Sequence, residues 1–272
     1  MGSLEDLFAR KLIARTDVKA EQHADGSYTP IRSPWGRSDL QAHLAGTRTF
    51  GHYLLAPDDT CKIFCLDIDL RGVRKSGQGT APDGFLPISG LGEGEVTADF
   101  VPDDPRKAWA NRADPRRPYI KYSMRLAGAM FAERVFSELE IPVAVAYSGS
   151  KGIHVYGLLH QRLPAAEARE GAMIVLDSMG MWTPERGDSV FGLKNRDPEN
   201  PLVNFTVEVY PKQGSLQGKD LGNLLRLPLG KNLKSQDPTF FMDLTSSLAD
   251  MRPVDPEWAL TTTDPWKRPD EA

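Results

Sequence analysis

The segment KIFCLDIDL, residues 62–70, places two carboxylates inside a run that is otherwise almost entirely apolar. Side chains of a β-strand alternate between its two faces, so Asp67 and Asp69 share one face while Leu66 and Ile68 lie on the other. Two adjacent carboxylates repel each other unless a cation balances them, and divalent cations such as Mg²⁺ prefer oxygen ligands. The segment therefore predicts a half-buried strand with a metal site; two solvated acids at a strand end are the alternative.

A third acid lies on a second predicted strand, within residues 201–213. There Glu208 stands between two valines, so on a strand it projects from the face opposite to theirs. Three carboxylates on neighbouring strands are typical of sites that clamp a phosphoryl-transfer reaction with two divalent ions. The pattern favours Asp67, Asp69 and Glu208 as the metal ligands.

Residues 141–159 predict a β-hairpin, because two β-rich runs flank the turn SGSKG. Glycines let the backbone approach a ligand closely, and hydroxyl and amine side chains donate to phosphate oxygens. The candidate phosphate-binding residues of this segment are Ser148, Ser150, Lys151, Gly152 and His154. An ordinary hairpin turn and a structural histidine are the alternatives.

Two basic clusters occur in a chain whose formal net charge is −4. Residues 194–234 carry an excess of lysine and arginine, including Lys212 and Arg226, which suits a triphosphate or a nucleic-acid backbone; a solvated basic face is the alternative. Residues 104–125 interleave basic side chains with Trp109, a composition that single strands bind by charge and stacking.

Helical and strand patterns interleave along the 272 residues, which predicts an α+β fold around an open sheet. We expect residues 1–60 to form part of an accessory α/β module and residues 61–250 to form the main core. Residues 71–117 are rich in Gly, Pro and Asp and predict a large insertion loop. Residues 251–272 predict a tail or a linker to a further domain.

Cysteine and hydropathy patterns predict what the chain lacks. Its two cysteines, Cys61 and Cys65, are expected to be buried thiols, and they do not cluster with histidines, so no zinc is expected. No apolar run approaches the roughly 18 residues of a membrane span, and the first residues contain no cleavage signal. A reducing cytoplasm without membrane contact is the expected location.

Four motifs in order resemble the archaeo-eukaryotic primase superfamily: DID at 67–69, SGSKGIH at 148–154, the lone acid at 208, and NLLRLPLG at 223–230. Within it the chain is most similar to the primase-polymerases of bacterial and phage conflict systems and CRISPR loci, over roughly residues 18–235. The resemblance implies an RRM-like catalytic sheet packed with the N-terminal module, and two Mg²⁺ or Mn²⁺ ions.

The resemblance also implies roles for individual residues. The implied catalytic residues are Asp67, Asp69, Glu208 and His154, the three acids being the metal ligands. The implied nucleotide-binding residues are Ser148, Ser150, Lys151, Gly152, His154, Lys212, Arg226 and Asn232. Asn232 stands near a position where many relatives carry a histidine, and its amide can hydrogen-bond phosphate or sugar.

The implied reaction is template-directed nucleotidyl transfer from an NTP or dNTP to a 3′-hydroxyl, including de novo synthesis of DNA primers. Its partners would be a single-stranded DNA template, a primer and, through the tail, a helicase or another replication or defence domain. Three alternatives stay open. They are a primer-dependent end-joining repair polymerase, a nucleotide-sugar glycosyltransferase that uses a D-x-D motif, and an inactive single-strand-binding module.

Overall fold

The structure is a computed structural model that describes residues 2–71, 105–181, 183–186, 189–194, 200–246 and 251–267. It consists of helices packed on two antiparallel sheets, which confirms the predicted α+β class. The helices are α1 (Leu4–Leu12), α2 (Arg37–Leu44), α3 (Pro105–Ala110), α4 (Arg117–Leu139), α5 (Ala165–Ser178) and α6 (Pro256–Thr261).

The smaller sheet has four strands in the order β10-β3-β1-β2. Its strands are β1 (Lys19–Gln22), β2 (Tyr28–Ile31), β3 (Phe50–Tyr53) and β10 (Leu224–Arg226). β10 comes from the NLLRLPLG motif and pairs with β3 of the N-terminal segment, Leu225 opposite His52. The motif is therefore part of the sheet that the first 60 residues begin.

The larger sheet has eight strands in the order β11-β12-β5-β6-β4-β9-β8-β7. Its strands are β4 (Thr60–Leu70), β5 (Val143–Tyr147), β6 (Gly152–Pro164), β7 (Thr183–Arg186), β8 (Val190–Gly192), β9 (Phe205–Tyr210), β11 (Gly230–Lys231) and β12 (Pro238–Phe241). The acid-bearing strand β4 is central, between β6 and β9. The predicted hairpin corresponds to β5 and β6.

Helices cover the apolar face of β4. Ile68 is fully buried and pairs with Ile153 of β6. A Cβ added to Gly128 of α4 would lie 3.2 Å from Ile153 Cγ2, so α4 packs directly on this face of the sheet. Because side chains alternate, Asp67 and Asp69 project from the opposite face, away from this helix.

The part of the predicted 71–117 loop that the structure describes includes helix α3, which the sequence did not predict. The indole N–H of Trp109 donates to the carbonyl of Ser150 in the hairpin turn, and the Arg117 guanidinium lies 4.3 Å from the Trp109 ring centre. This tertiary anchor holds a helix too short to form alone. Trp109 is buried, so its ring is not the exposed stacking surface that the basic cluster suggested. Residues 72–104 lie outside the described residues.

The described part of the predicted tail packs on the core. Ala259 and Leu260 of α6 are buried, and Trp266 packs edge-on against Phe136 of α4, with ring centres 5.5 Å apart. Cys61 and Cys65 are buried free thiols, as predicted. No helix among the described residues is long and apolar enough to cross a membrane.

Candidate active site

Three polar residues lie in one row across the larger sheet. Asp67 of β4 pairs directly with His154 of β6 on one side and with Glu208 of β9 on the other. Directly opposed residues of antiparallel strands project from the same face, with Cβ atoms about 5 Å apart. The strand register therefore brings together two acids and a histidine that three separate segments supply.

The next row contains Asp69, opposite Gly152 on β6 and Thr206 on β9. A Cβ added to Gly152 would lie 2.6 Å from the carbonyl oxygen of Ile68 and would collide with the Asp69 carboxylate. Gly152 therefore makes room for Asp69, and this position has no space for a larger residue.

His154 is held by the next residue on its own face. The Tyr156 hydroxyl, which keeps its proton because burial raises its pKa, donates to Nδ1 of His154 at 2.8 Å. Nε2 then carries the ring proton and lies 3.4 Å from Oδ1 of Asp67. The ring is thus oriented toward the acid row.

Oδ1 of Asp67 is buried and accepts no hydrogen bond. Burial opposes ionisation of Asp67, but His154, Lys151 and Arg226 outweigh it, so the pKa of Asp67 lies below its usual value. The neighbouring charges therefore stabilise the ionised carboxylate, and its buried Oδ1 has no bond to lose when it accepts a further partner. This oxygen could accept a hard cation.

Lysines neutralise the other two acids. Lys151 forms an ion pair with Asp69, and Lys212 forms one with Glu208, which also accepts a hydrogen bond from the Tyr210 hydroxyl at 2.8 Å. Within the described ranges, no three His, Cys, Asp or Glu side chains form a group that could hold a metal ion. The all-oxygen acid set with its orphaned buried atom nevertheless fits a divalent cation, once the lysines turn away.

A cavity of about 290 Å³ opens over the acids, and both sheets line it. From the predicted set it is lined by Asp67, Asp69, Ser148, Ser150, Lys151, His154, Arg226 and Asn232. The other three predicted residues do not line the cavity but are next to residues that do. Gly152 pairs with Asp69, Glu208 pairs with Asp67, and Lys212 forms an ion pair with Glu208. All the sequence-predicted site residues therefore lie in one region of the fold.

The smaller sheet supplies lining residues that the sequence did not indicate, among them Gln22 and Tyr28. No local pattern could single them out, because their place at the cavity depends on how two sheets meet. Tyr210 also lines the cavity. It stands two residues after Glu208 on the same strand face, and that spacing could have found it.

Arg226 connects the two sheets. It lies on β10 of the smaller sheet, and its guanidinium donates to the carbonyl of Ser148, at the end of β5. The Ser148 N–H in turn donates to the Gly152 carbonyl at 3.1 Å, which closes the turn. Arg226 thus supports the hairpin and contributes positive charge to the cavity.

Asn232 holds the same turn from another side. Its amide donates to the Gly149 carbonyl at 3.4 Å, and its Oδ1 accepts from Gln22 Nε2 at 3.4 Å and from the Lys234 N–H at 3.1 Å. Gly149 has a φ of +71° and no room for a Cβ, which would lie 2.9 Å from Asn232 Cβ. In this structure Asn232 positions the hairpin turn.

His43, which the sequence did not connect with the site, orders the segment after Arg226. Its Nε2 donates to the Pro228 carbonyl at 3.0 Å, and its Nδ1 accepts from the Phe50 N–H at 3.1 Å. Burial lowers the pKa of His43 to about 4, which keeps the ring neutral for this bridge. The neutral ring of His43, which donates one hydrogen bond and accepts another, therefore connects α2 to the RLPLG segment at 226–230.

A comparison with protein-family models matches residues 4–260 to the archaeo-eukaryotic primase domain of the TOTE conflict system. A comparison with curated proteins found no match. The family match extends past the roughly 18–235 that the motifs suggested, and it includes α1, most of α6, both sheets and the cavity. Because the match spans nearly the whole chain, the protein belongs to the archaeo-eukaryotic primase domain family of TOTE conflict systems.

Proposed function

We propose that this protein is a DNA primase-polymerase, which transfers nucleotides from an NTP or dNTP to a 3′-hydroxyl under the direction of a template strand and starts primers de novo. The family places it in the superfamily of primases and nucleotidyltransferases. The observation that carries the proposal is the Glu208–Asp67–His154 row, with its unsatisfied Asp67 oxygen, beside a cavity lined by basic side chains.

Asp67, Asp69 and Glu208 would hold two Mg²⁺ or Mn²⁺ ions, and no zinc is expected. When bound, such ions lower the pKa of an attacking hydroxyl and neutralise charge on the triphosphate. The supporting observation is chemical. The three acids offer only oxygen ligands, and two of them already form ion pairs with the partly exposed side chains of Lys151 and Lys212.

The chain's own basic residues bind the triphosphate in this proposal. The Lys151 side chain is about two-fifths exposed and lines the cavity, so it can leave Asp69 and turn to a phosphate when another cation balances the acid. Lys212 can exchange Glu208 for phosphate in the same way. Arg226 adds a fixed charge, because its donation to Ser148 holds it at the cavity.

His154 and the hairpin turn orient the nucleotide. The His154 ring, fixed by Tyr156, presents Nε2–H toward the acid row, where it can donate to a phosphate oxygen. Ser148, Ser150 and the close backbone approach at Gly152 supply further donors beside it. Asn232 keeps this turn in place and, at the cavity wall, is a proposed contact to sugar or phosphate.

The larger sheet is proposed to be the RRM-like catalytic sheet and the smaller one the core of the accessory module. In this division the module consists of residues 1–60 joined by β10, and the catalytic core spans 61–250 with an insertion at 71–117. The pairing of β10 with β3 supports it, since it couples Arg226 to the N-terminal strands. Residues 251–272 are proposed to lead to a helicase or another replication or defence domain.

Synthesis assays with the Asp67→Ala/Asp69→Ala variant test the proposal. We expect the native protein, with Mg²⁺ or Mn²⁺, to extend a primer and to make primers on a bare single strand. The variant should lose both activities by at least about 100-fold, since even residues that only support metal ligands cost 10- to 100-fold when lost. Asp177→Ala, which removes an exposed acid of α5, is the control.

Undiminished synthesis by the double variant would contradict the proposal. Extension of primed templates without any synthesis on bare single strands would instead assign the protein to the primer-dependent repair polymerases. Running both assays with NTPs and with dNTPs in separate reactions identifies the preferred sugar.

A further inference from the structure

A second cleft, of about 270 Å³, lies near the end of β4 remote from the acids. Arg10 and Lys11 at the end of α1, Lys62 near the start of β4, and His160 and Arg162 near the end of β6 line it. Lys62 precedes Asp67 by five residues, which places it about 17 Å from the acid row at the usual rise of a strand. The cleft is therefore separate from the nucleotide cavity.

The charge of this cleft is entirely positive. Four of its lining side chains are cations at neutral pH and no carboxylate lines it, although the whole chain has a formal net charge of −4. Asp58 is close enough for Arg162 to affect its pKa, but its carboxylate accepts hydrogen bonds from Thr60, and it does not line the cleft. The concentration of charge is local and uncompensated within the cleft.

Helix capping explains two of these cations. Lys62 Nζ donates to the Ala9 carbonyl at 3.3 Å, and Arg162 Nη2 donates to the Ala14 carbonyl at 2.7 Å. Carbonyls at and just beyond the C-terminal end of a helix attract cations, so this is a structural role. Arg10 and Lys11 lie in the last turn of α1, where cations also interact favourably with the helix dipole, but neither has an ion-pair partner among the described residues.

The positive charges of the cleft also repel one another. Burial, together with Arg162 and Arg10, lowers the pKa of the half-buried Lys62. Like charges gathered in a partly desolvated cleft are relieved by a multivalent anion. The only anion that the proposed function brings to this protein in extended form is the phosphate backbone of a nucleic acid.

We propose that this cleft binds backbone phosphates of a single-stranded nucleic acid. The cleft and the acid row are about 17 Å apart along β4, so a ligand that occupies both has to be extended, as a single-stranded nucleic acid is. The exposed imidazole of His160 offers an aromatic face for a base beside the phosphate-binding cations. The choice of a nucleic-acid strand as the ligand rests on the proposed function. The inference that the cleft binds phosphate rests on the charges of the cleft alone.

Binding of DNA measured without catalysis tests this inference. A fluorescent single-stranded oligonucleotide without terminal phosphates is titrated with protein by anisotropy, in EDTA and without nucleotide, at several NaCl concentrations. We expect Arg10→Gln/Lys11→Gln to weaken binding several-fold. The slope of log Kd against log salt should fall by about 1.4, since each lost phosphate contact on a single strand changes it by about 0.7.

Two further variants control for folding and net charge. Arg10→Lys/Lys11→Arg keeps both charges and should bind as the native protein does. Arg134→Gln/Lys267→Gln removes two cations that lie next to acids outside the cleft and should leave the slope unchanged. Thermal unfolding curves that coincide with the native curve show that any loss of binding is local.

Unchanged affinity and slope in Arg10→Gln/Lys11→Gln overturn the inference. Calorimetry with inorganic tripolyphosphate separates the two sources of phosphate. If the variant loses tripolyphosphate binding but keeps DNA binding, the cleft takes free polyphosphate and the strand is rejected as its ligand. The Asp67→Ala/Asp69→Ala variant, in which Lys151 loses its ion-pair partner, should bind DNA at least as tightly as the native protein while synthesis is lost, so failure of the proposed catalysis and failure of the cleft give different results.

Discussion

Asp67 and Glu208 face each other directly across the neighbouring antiparallel strands β4 and β9 and project from the same face of the sheet. Two acids held this close by backbone pairing cannot move apart to relieve their repulsion. Lys212 forms an ion pair with Glu208, and Nε2 of His154 lies 3.4 Å from Oδ1 of Asp67.

Replacing the central acid should separate metal binding from folding. In Asp67→Asn the shape is kept but the carboxylate charge that His154, Lys151 and Arg226 stabilise is removed, so the melting temperature without metal should be a few degrees lower. The rise in melting temperature that Mn²⁺ produces in the native protein should disappear. Differential scanning fluorimetry with and without Mn²⁺ measures both, and an intact Mn²⁺ response in the variant would show that Asp67 is not a ligand.

A methyl group at Gly152 should damage the site through sterics alone. Gly152→Ala places a Cβ against the Asp69 carboxylate and the Ile68 carbonyl, so we expect a loss of about 1–3 kcal/mol in unfolding free energy and a large loss of nucleotide incorporation. Urea denaturation and single-nucleotide extension check this. Gly171→Ala on α5, where the added Cβ meets only ordinary contacts with Leu139, should change stability by less than about 1 kcal/mol.

Metal affinity should fall in mild acid. Burial and the charge of Asp67 raise the pKa of Asp69 to about 6, so below this pH a proton competes with the metal for its carboxylate. We expect Mn²⁺ affinity to be about tenfold lower at pH 5 than at pH 7.5, because about a tenth of Asp69 is then ionised. Calorimetry at both pH values measures it. The Asp69→Asn variant should bind Mn²⁺ more weakly, and its Mn²⁺ affinity should change little between pH 5 and pH 7.5. A pH dependence equal to that of the native protein would show that Asp69 is not the titrating ligand.

Two buried histidines should make the fold sensitive to acid. Burial lowers the pKa of His43 to about 4 and that of His52, whose ring nitrogens have no hydrogen-bond partner, to about 3. Both values lie below the unfolded value of about 6.5, so as the pH falls through 6.5 the unfolded chain takes up protons that the folded protein does not. Stability should therefore be fully present above pH 6.5 and decrease by about 2 kcal/mol per histidine at pH 5.

The variant His52→Leu tests that pH dependence. It removes one of the two groups and places an apolar side chain in a fully buried position, so stability at pH 7.5 should change little. The difference in unfolding free energy between pH 7.5 and pH 5 should shrink by about 2 kcal/mol in urea titrations. An unchanged difference would show that other groups cause the acid sensitivity.

Local patterns predicted the elements with the strongest periodicity. The hairpin of β5 and β6 and the strand β4 lie where their apolar runs predicted them. The short α3 escaped prediction because a contact between Trp109 and the hairpin turn stabilises it rather than its own sequence. The pairing of β10 with β3 joins segments far apart in the chain, and no local pattern encodes such a partner.

For the site, alternation in single strands showed which face Asp67, Asp69, Glu208 and His154 each occupy, because side-chain direction along a strand depends on local geometry alone. Their selection as a set came from the order of the four motifs and its resemblance to primases. Only the tertiary structure decided that the β4, β6 and β9 registers align three of these residues in one row. It also decided that Lys151 and Lys212 neutralise two of the acids, and that a second sheet brings Tyr28 and Arg226 to the cavity. Those outcomes depend on strand partners and on sheet packing, which many distant residues determine together.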